Sequence, residues 1–270
     1  MSKTKNTVAF ITGASSGIGA AMAEEFARRG ADVVLVARRR ERLQEVAKAV
    51  QSQGRTALVA EADVSQDGDL EVAVEQAVEH FGRIDWVVAN AGFGVAGPVH
   101  KLELEDYRRQ FETNIYGVLR TVRATREALI ESAGVLALMG SVTSYVSLPV
   151  SSPYSMSKHA VKALADSLRA EMSRRGVAVT LLAPGFVESE IRQVDNKGER
   201  HEHANDPIPS WLRMDTAVAA KKMVRAIVKR RRVVVITLHG KVFVFIERHF
   251  PWLMAALARP MGDRKRHRDV

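Results

Sequence analysis

Short apolar segments alternate with segments of helical periodicity along most of the chain, and this alternation constrains the fold more than any other feature. The segments predicted as strands are Val8–Thr12, Val33–Ala37, Thr56–Ala60, Trp86–Ala89, Val135–Met139, Val177–Leu182 and Val233–Ile236. A first helix is predicted through Ala21, Phe26 and Arg29. The other predicted helical segments are Glu41–Gln53, Asp67–Phe81, stretches from about Leu104 to Ile130, Pro153–Ser173 and Thr216–Lys229. Strands that are apolar throughout and separated by helices form parallel sheets covered on both faces. The sequence therefore predicts an α/β fold with a doubly wound parallel sheet of about seven strands.

The composition is that of a globular chain able to bury one large core. The 270 residues are 46% hydrophobic and include no low-complexity tract or linker. Cysteine is absent, which excludes disulfides, zinc–thiolate sites and cysteine nucleophiles. Residues 1–6 lack the apolar core of a secretory signal and lead straight into the first strand, so a cytoplasmic location is expected.

A glycine-rich turn follows the first strand directly. Its residues are Gly13, Ala14, Ser15, Ser16, Gly17, Ile18 and Gly19. Glycine permits positive φ and close approach of the backbone to a ligand, and the next helix offers unpaired N–H groups and a partial positive charge. A dinucleotide pyrophosphate suits such a turn. The spacing Gly-x-x-x-Gly-x-Gly differs from the common Gly-x-Gly-x-x-Gly pattern, so the turn alone does not establish the ligand.

Residues of unusual type follow the carboxyl ends of the predicted strands, where doubly wound sheets bind their ligands. They are Gly13–Gly19, Arg38, Asp63, Asn90-Ala91-Gly92, Ser141 and Pro184-Gly185, after strands one to six in turn. Each has an ordinary alternative, such as a helix cap for Asp63 or a surface serine for Ser141. Their common position on one rim favours a single binding site.

Tyr154 and Lys158 lie four residues apart in a predicted helix, which places a phenol beside an ammonium group. A free tyrosine has a pKa near ~10, and an adjacent cation favours the phenolate and lowers that value. The pair therefore has the chemistry of proton transfer to a carbonyl oxygen. An ordinary pair on a helix surface has the same spacing, and only the other residues of the rim distinguish the two interpretations.

Taken in order, the motifs resemble those of the short-chain dehydrogenase/reductase family over roughly residues 7–236. They are Thr12-Gly13-x-x-x-Gly17-x-Gly19, Asn90-Ala91-Gly92, Asn114, Ser141, Tyr154-x-x-x-Lys158 and Pro184-Gly185. The resemblance implies an extended Rossmann fold, a nicotinamide cofactor and a catalytic tetrad of Asn114, Ser141, Tyr154 and Lys158. It also implies a set of cofactor-binding residues: Gly13, Ser15, Ser16, Gly17, Ile18, Gly19, Asp63, Val64, Asn90, Ala91, Gly92, Tyr154, Lys158, Pro184, Gly185, Val187 and Ser189.

The resemblance assigns each member of the tetrad a role. Tyr154 would donate a proton to the carbonyl oxygen while hydride passes from the nicotinamide to the carbonyl carbon. Ser141 would hydrogen-bond that oxygen, and Lys158 would lower the Tyr154 pKa and reach the nicotinamide ribose. Asn114 would hold a water that extends the proton relay from Lys158.

Two positions depart from the commonest family pattern. Many members have two asparagines before the Ala-Gly pair, whereas this chain has Ala89 and then Asn90. The threonine that helps hold the nicotinamide carboxamide is replaced by Ser189, which keeps a hydroxyl.

The end of the second strand bears on the choice of cofactor. An acidic residue there would bind the ribose 2′-hydroxyl of NAD, but this chain has Arg38-Arg39-Arg40. Because the planar guanidinium suits a phosphate, NADP(H) is favoured over NAD(H), with Arg38 as the expected contact. Alternatively, the arginines are only a solvated turn before the next helix.

The net charge of +9 is concentrated in the C-terminal part, since residues 229–270 hold eleven basic and three acidic residues. Apolar residues recur there at helical spacing, with Pro251 suited to opening a second helix. We predict that residues 239–270 form a basic, amphipathic tail on a dinucleotide-binding and catalytic domain of residues 1–238. The tail is too short and interrupted to span a bilayer. Its apolar stripe is expected to cover the substrate cleft or a subunit interface, with weak contact to an anionic membrane as the alternative.

The substrate loop is expected between Ser189 and about Arg213. It is polar and contains His201 and His203, which we interpret as part of a solvated lid and not as metal ligands. The loop does not identify the substrate.

The favoured function is an NADP(H)-dependent oxidoreductase that transfers hydride between nicotinamide and a carbonyl or secondary alcohol, with an apolar or lipid-like ketone as substrate. The alternatives are a 3-oxoacyl-thioester reductase acting on acyl carrier protein and a non-catalytic NADP(H)-binding sensor or scaffold. The resemblance also leads us to expect a homo-oligomer, either a dimer or a tetramer. Neither a metal nor a nucleic-acid partner is expected.

Overall fold

The computed structural model describes residue 4 and residues 6–189, 195–196 and 208–263, except for the side chains of residues 260–263. Its strands form one parallel sheet in the order β3-β2-β1-β4-β5-β6-β7. The strands are β1 (Val8–Thr12), β2 (Asp32–Ala37), β3 (Ala57–Glu61), β4 (Trp86–Ala89), β5 (Val135–Met139), β6 (Ala178–Ala183) and β7 (Val233–Val235). Each predicted strand is found, with ends within one residue of the prediction. The predicted fold class is confirmed.

Helices cover both faces of this sheet. They are α1 (Gly17–Arg28), α2 (Arg40–Gln51), α3 (Asp69–Phe81), α4 (Leu104–Phe111), α5 (Gly117–Glu131), α6 (Ser152–Ser173), α7 (Thr216–Val228), α8 (Leu238–His249) and α9 (Pro251–Asp263). The apolar residues of α1, α2 and α7 pack on one face, and those of α3, α5 and α6 pack on the other. Because both faces are covered, β1 and β5 are buried at every position.

The helical stretches predicted from about Leu104 to Ile130 are found, and the structure shows where they divide. A π-helical turn, Glu112–Tyr116, separates α4 from α5. Such turns insert a residue into the helix and often occur at functional positions. Apolar periodicity does not reveal them, because the backbone remains helical on both sides.

The strand order creates a crevice between β1 and β4. The chain builds outward from β1 to β2 and β3, then crosses to β4 on the other side of β1. The loops that leave β1 and β4 therefore diverge at their carboxyl ends, and ligands of doubly wound sheets bind at such a point.

The C-terminal helices continue from the edge strand β7. Thr237 caps α8 by accepting a hydrogen bond from the N–H of Gly240 at 3.2 Å. Pro251 opens α9, as predicted, and Met254 is buried against Val142 and Val146 in the turn after β5. None of the helices in the described ranges is both long and apolar enough to cross a membrane.

Candidate active site

A cleft of about 630 Å³ opens at the carboxyl ends of the strands. The predicted site residues that line it are Gly13, Ser15, Ser16, Gly17, Ile18, Gly19, Arg38, Asp63, Val64, Asn90, Ala91, Gly92, Ser141, Tyr154, Lys158, Pro184, Gly185, Val187 and Ser189. Of the predicted set, only Asn114 is absent from this lining. Sequence positions 13 to 189 therefore converge on one cavity.

The glycine-rich turn forms one end of the cleft with almost no room for side chains. Gly13 and Gly17 have φ values of +66° and +54°, which L side chains rarely adopt. A Cβ at Gly19 would lie 2.3 Å from the carbonyl oxygen of Gly13, and one at Gly13 would lie 2.8 Å from Cα of Ala91. The backbone of the turn is therefore exposed to a ligand at close range, and its shape fits a pyrophosphate at the start of α1.

Asn90 ties the end of β4 to this turn. Its amide nitrogen donates to the carbonyl oxygens of Thr12 at 2.9 Å and Gly13 at 3.2 Å. The Thr12 hydroxyl accepts from the backbone N–H groups of Asn90 and Ala91 at 3.0 and 3.2 Å. The single asparagine before Ala91-Gly92 thus fixes the crevice between β1 and β4.

Tyr154 and Lys158 lie together on α6, where Pro153 occupies the first turn. The Lys158 ammonium nitrogen is 5.6 Å from the centroid of the Tyr154 ring. The same nitrogen donates to the carbonyl oxygen of Met139 at 2.8 Å, at the end of β5. Lys158 is almost completely buried, and this burial lowers its pKa to about 8.

Ser141 follows β5 and caps a short 3₁₀ turn, Val142–Ser144. Its hydroxyl oxygen accepts from the N–H of Thr143 at 3.1 Å, and the hydroxyl is 3.5 Å from the carbonyl oxygen of Pro184. The latter contact is long for a hydroxyl donor. The proton of Ser141 is therefore only weakly engaged by the protein, while the oxygen is held in place.

Asn114 lies in the π-helical turn and is fully buried. Its side-chain oxygen accepts from the N–H of Phe93 at 3.1 Å, and its amide nitrogen donates to the carbonyl oxygen of Phe93 at 3.0 Å. The amide nitrogen also lies 3.2 Å from the Ser157 hydroxyl on α6. The side chain therefore links the loop after β4 to the helix that carries Tyr154. A water held by Asn114 stays a prediction.

Arg38 and Arg39 take different positions at the end of the cleft beside β2 and the glycine-rich turn. Arg38 is 69% exposed and lies 3.6 Å from a carboxylate oxygen of Asp63. Arg39 donates to the hydroxyl oxygens of Ser15 at 3.1 Å and Ser16 at 2.9 Å. Both guanidinium groups therefore border the space beside the glycine-rich turn.

Some residues that line the cleft were not predicted as site residues from the sequence. They are Arg39, Phe93, Arg109, Glu112 and Thr113, together with neighbouring positions of the rim. Two of them stand next to predicted site residues in the sequence and could have been found from that position: Arg39 follows Arg38, and Phe93 follows Asn90-Ala91-Gly92. The other three belong to α4 and the π-helical turn, where an amphipathic pattern does not reveal which residues face a ligand.

A residue of α8 also supports the wall of the cleft. The ring nitrogen Nε2 of His239 accepts from the N–H of Phe186 at 3.0 Å, and the two rings stack with centroids 5.2 Å apart. Burial lowers the pKa of His239, which favours the neutral ring that this acceptor role requires. A Cβ at Gly185 would lie 2.4 Å from the same nitrogen. The turn after β6 is thus clamped from outside by the C-terminal helix.

The predicted substrate loop is only partly described. His201, His203 and Pro207 lie outside the described residues. Asn196 exchanges two hydrogen bonds of 3.0 Å with the backbone of Ala96, which joins this loop to the loop after β4. Within the described ranges, no three His, Asp or Glu side chains are grouped to hold a metal ion.

A smaller cavity of about 350 Å³ lies at the opposite end of the sheet. Its lining includes Asp85, Trp86 and Arg230. The Asp85 carboxylate accepts from the N–H of Val8 and from Arg83, and Arg230 donates to backbone carbonyl oxygens. These contacts hold the fold together at the amino ends of the strands.

The comparisons with known proteins agree with this geometry. The family model for short chain dehydrogenases matches residues 7–200. The 11-beta-hydroxysteroid dehydrogenase A of Sesamum indicum is 39% identical over 197 residues, which cover 72% of this chain and 56% of the sesame protein. The aligned region thus spans little more than half of that relative.

Two solved structures are similar over most of the chain. A short chain dehydrogenase/reductase from Burkholderia phymatum in complex with NAD has a TM-score of 0.83 and 25% identity, covering 94% of this chain and 96% of that one. An alcohol dehydrogenase from the archaeon Thermococcus sibiricus, complexed with 5-hydroxy-NADP, has a TM-score of 0.74 and 29% identity, covering 85% and 95%.

Proposed function

The chain belongs to the short-chain dehydrogenase/reductase family, and from that premise we propose that it reduces an apolar ketone with NADP(H) or oxidises the corresponding alcohol. The family assignment makes it a dehydrogenase or reductase acting on CH–OH or C=O groups. The observation that carries the proposal is the Tyr154–Lys158 pair, which borders the same cleft as Ser141 and the glycine-rich turn.

The cleft suits a nicotinamide dinucleotide. The glycine-rich turn leaves backbone groups open at the start of α1, and the remaining cofactor-binding residues follow the neighbouring strands on the same rim. When bound, the cofactor supplies or accepts the hydride. The residues of the chain bind it, orient the carbonyl and move the proton.

In the reducing direction, the Tyr154 hydroxyl donates its proton to the carbonyl oxygen, and Ser141 donates a hydrogen bond to the same oxygen. The weak contact of Ser141 with Pro184 leaves its proton available for this bond. Lys158 stabilises the phenolate that forms on Tyr154. Asn114 holds the loop after β4 against α6 and thereby fixes the position of the pair.

The choice of an apolar ketone rests on two observations. The sesame relative is described as a hydroxysteroid dehydrogenase, so a bulky apolar substrate is consistent with this family branch. The excess cations Arg230, Arg231 and Arg232 precede β7 and lie at the amino ends of the strands, away from the cleft. A basic rim for an acidic carrier protein is therefore not supported by these residues.

The substrate class can be tested by following NADPH oxidation with ketones and 3-oxoacyl thioesters graded in chain length and ring content. Turnover that rises with apolar size supports the proposal. Preference for thioesters would replace it with the reductase of acyl carrier protein, and NADPH binding without turnover on any carbonyl would favour a sensor.

Arg38→Asp is expected to invert the preference for NADPH over NADH. The substitution removes a guanidinium group beside the adenosine end of the cleft and adds a carboxylate that repels a 2′-phosphate. Because Arg38 is exposed, we expect an effect of about tenfold, at the low end for a hydrogen bond to a charged group. The measurement is the ratio of kcat/KM for the two cofactors.

Arg40→Asp is the matched control for this test. Arg40 follows in the same turn, pairs with Glu61 at 3.9 Å and does not line the cleft. Its substitution should leave the cofactor ratio unchanged. Equal ratios for Arg38→Asp and the wild type would show that Arg38 does not select the cofactor, and Arg39 would become the candidate for that role.

His239→Phe is expected to lower kcat by roughly fivefold, since loss of the hydrogen bond from the N–H of Phe186 costs about 1 kcal/mol. The contact of Nε2 with the Thr237 hydroxyl, at 3.1 Å, is lost as well. Phenylalanine retains an aromatic ring to stack on Phe186 but cannot accept its N–H. The turn that carries Pro184 and borders Ser141 then loosens, and KM for the cofactor should rise as kcat falls, because Pro184 and Gly185 belong to the proposed cofactor site. His249→Phe is the control, because His249 lies on the same helix and its one described ring contact is a tilted one with Phe245. An unchanged kcat in His239→Phe would show that the clamp does not affect the reaction.

A further inference from the structure

The outer surface of α8 and α9 exposes a cluster of large apolar side chains. Leu238 is 76% exposed, Phe245 57% and Trp252 70%. Val242, Phe250 and Leu257 are exposed as well. A surface helix normally directs its apolar residues inward, so these two helices carry an additional apolar face that the fold does not use.

The exposed residues of α8 form one continuous stripe. Leu238, Val242 and Phe245 follow one another at intervals of four and three residues, which places them on one side of the helix. The opposite side includes the buried Gly240 and the half-buried Phe243 and contacts the turn after β5. The inner side therefore fastens the helix to the domain, and the stripe faces away from it.

Positive charge accompanies the stripe. Lys241 and Arg248 are exposed on α8, and Arg259 is exposed on α9. Glu247, the acidic residue of α8, is half-buried on the inward side. The outward surface thus combines aromatic and aliphatic side chains with cations, the composition of helices that lie in the interface of an anionic bilayer.

We propose that α8 and α9 dock this protein on the surface of a membrane that contains anionic lipids. Leu238, Phe245 and Trp252 would enter the boundary between headgroups and acyl chains, where tryptophan is favoured, while the cations bind lipid phosphates. A second copy of the chain fits this surface less well. A two-fold contact through the stripe would bring the flanking cations Lys241 and Arg248 of one copy close to the flanking cations of the other.

Docking would have a consequence for access to the cleft. The inward side of α8 carries His239, which contacts Phe186, and Phe186 stands between the cleft-lining residues Gly185 and Val187. The same helix therefore faces lipid on one side and the candidate active site on the other. An apolar substrate dissolved in the bilayer would be presented near the wall of the cleft.

The test is sedimentation of the full-length protein with vesicles of phosphatidylcholine alone or with phosphatidylserine added. We expect the wild type to pellet with the anionic vesicles and to be released at high salt. The triple variant Leu238→Ser, Phe245→Ser, Trp252→Ser should bind at least tenfold more weakly. Lys241→Glu and Arg248→Glu should each weaken binding by more than about fivefold, the value for loss of one cation near such a surface.

A matched control replaces three exposed apolar residues elsewhere, Val72→Ser, Val99→Ser and Leu104→Ser, and should bind vesicles like the wild type. Cofactor binding and unfolding temperature of every variant show whether the fold is intact. Absence of wild-type pelleting, or equal pelleting of both triple variants, overturns the proposal. It is also overturned if the α8–α9 variant dissociates an oligomer without changing vesicle binding, since the surface is then a subunit interface. None of these measurements depends on turnover. The membrane-docking proposal and the proposed reaction are therefore tested independently of each other.

Discussion

Replacing Tyr154 with phenylalanine is expected to lower turnover of a ketone substrate by ~10²- to 10⁴-fold, the range that a positioned proton donor contributes. The substitution removes one hydroxyl and retains the ring beside Lys158. Cofactor binding, measured by NADPH fluorescence, should change little. Turnover and binding together therefore separate loss of the proton donor from damage to the cleft.

Tyr145 provides a matched control. The ammonium nitrogen of Lys162 lies 5.6 Å from the centroid of its ring, the same separation as in the Tyr154–Lys158 pair. Tyr145 does not line the cleft, and burial raises its pKa. Tyr145→Phe should therefore retain wild-type turnover. If Tyr154→Phe keeps more than about a tenth of that turnover, the phenol is not the proton donor.

Gly19→Ala is expected to raise the dissociation constant of NADPH by roughly 5- to 150-fold, because an added methyl that displaces packed atoms costs about 1–3 kcal/mol. The new Cβ would lie 2.3 Å from the Gly13 carbonyl oxygen and 2.6 Å from the Asn90 amide nitrogen. Neither neighbour can move freely, since Asn90 itself bonds Gly13 and Thr12. The turn must therefore open, and its backbone groups lose their alignment towards the cofactor.

Gly94→Ala is the control for steric effects in the same region. A Cβ at Gly94 would contact Cδ2 of Tyr154 at 3.5 Å, an ordinary van der Waals distance. Cofactor binding by this variant should resemble that of the wild type. Thermal unfolding of both variants shows how much of the Gly19→Ala effect is a loss of stability. A folded Gly19→Ala protein with unchanged NADPH affinity would mean that the turn does not contact the cofactor.

The sequence was sufficient to predict the sheet and most of the cleft lining. Apolar runs bounded by turn residues identified each strand, because a strand that is buried on both faces has apolar residues at nearly every position. The rim followed from topology, since the carboxyl ends of parallel strands meet at one edge and bring Gly13, Asn90 and Ser141 together. The roles of these residues in the reaction stay predictions.

Two sequence predictions are not tested by the structure. Asn114 was predicted to hold a water; the structure shows its amide bound to Phe93 and close to Ser157, and the water stays a prediction. The tail was predicted to cover the cleft or a subunit interface with its apolar stripe; part of that stripe faces outward in the described chain, and what covers it stays a prediction. In both cases the pattern indicated which residues are polar or apolar without indicating their partners.

By itself, then, the sequence determined the fold class, the order of the strands along the chain and the set of residues near the cleft. These properties depend on local periodicity and on the direction of parallel strands. Only the tertiary structure decided that Arg39 bonds the glycine-rich turn, that His239 clamps Phe186 and that the stripe of α8 faces away from the domain. Each of these depends on the packing of segments that are far apart in the chain. A helical repeat in the sequence shows which residues share a face of the helix, but it does not show which other segment that face contacts.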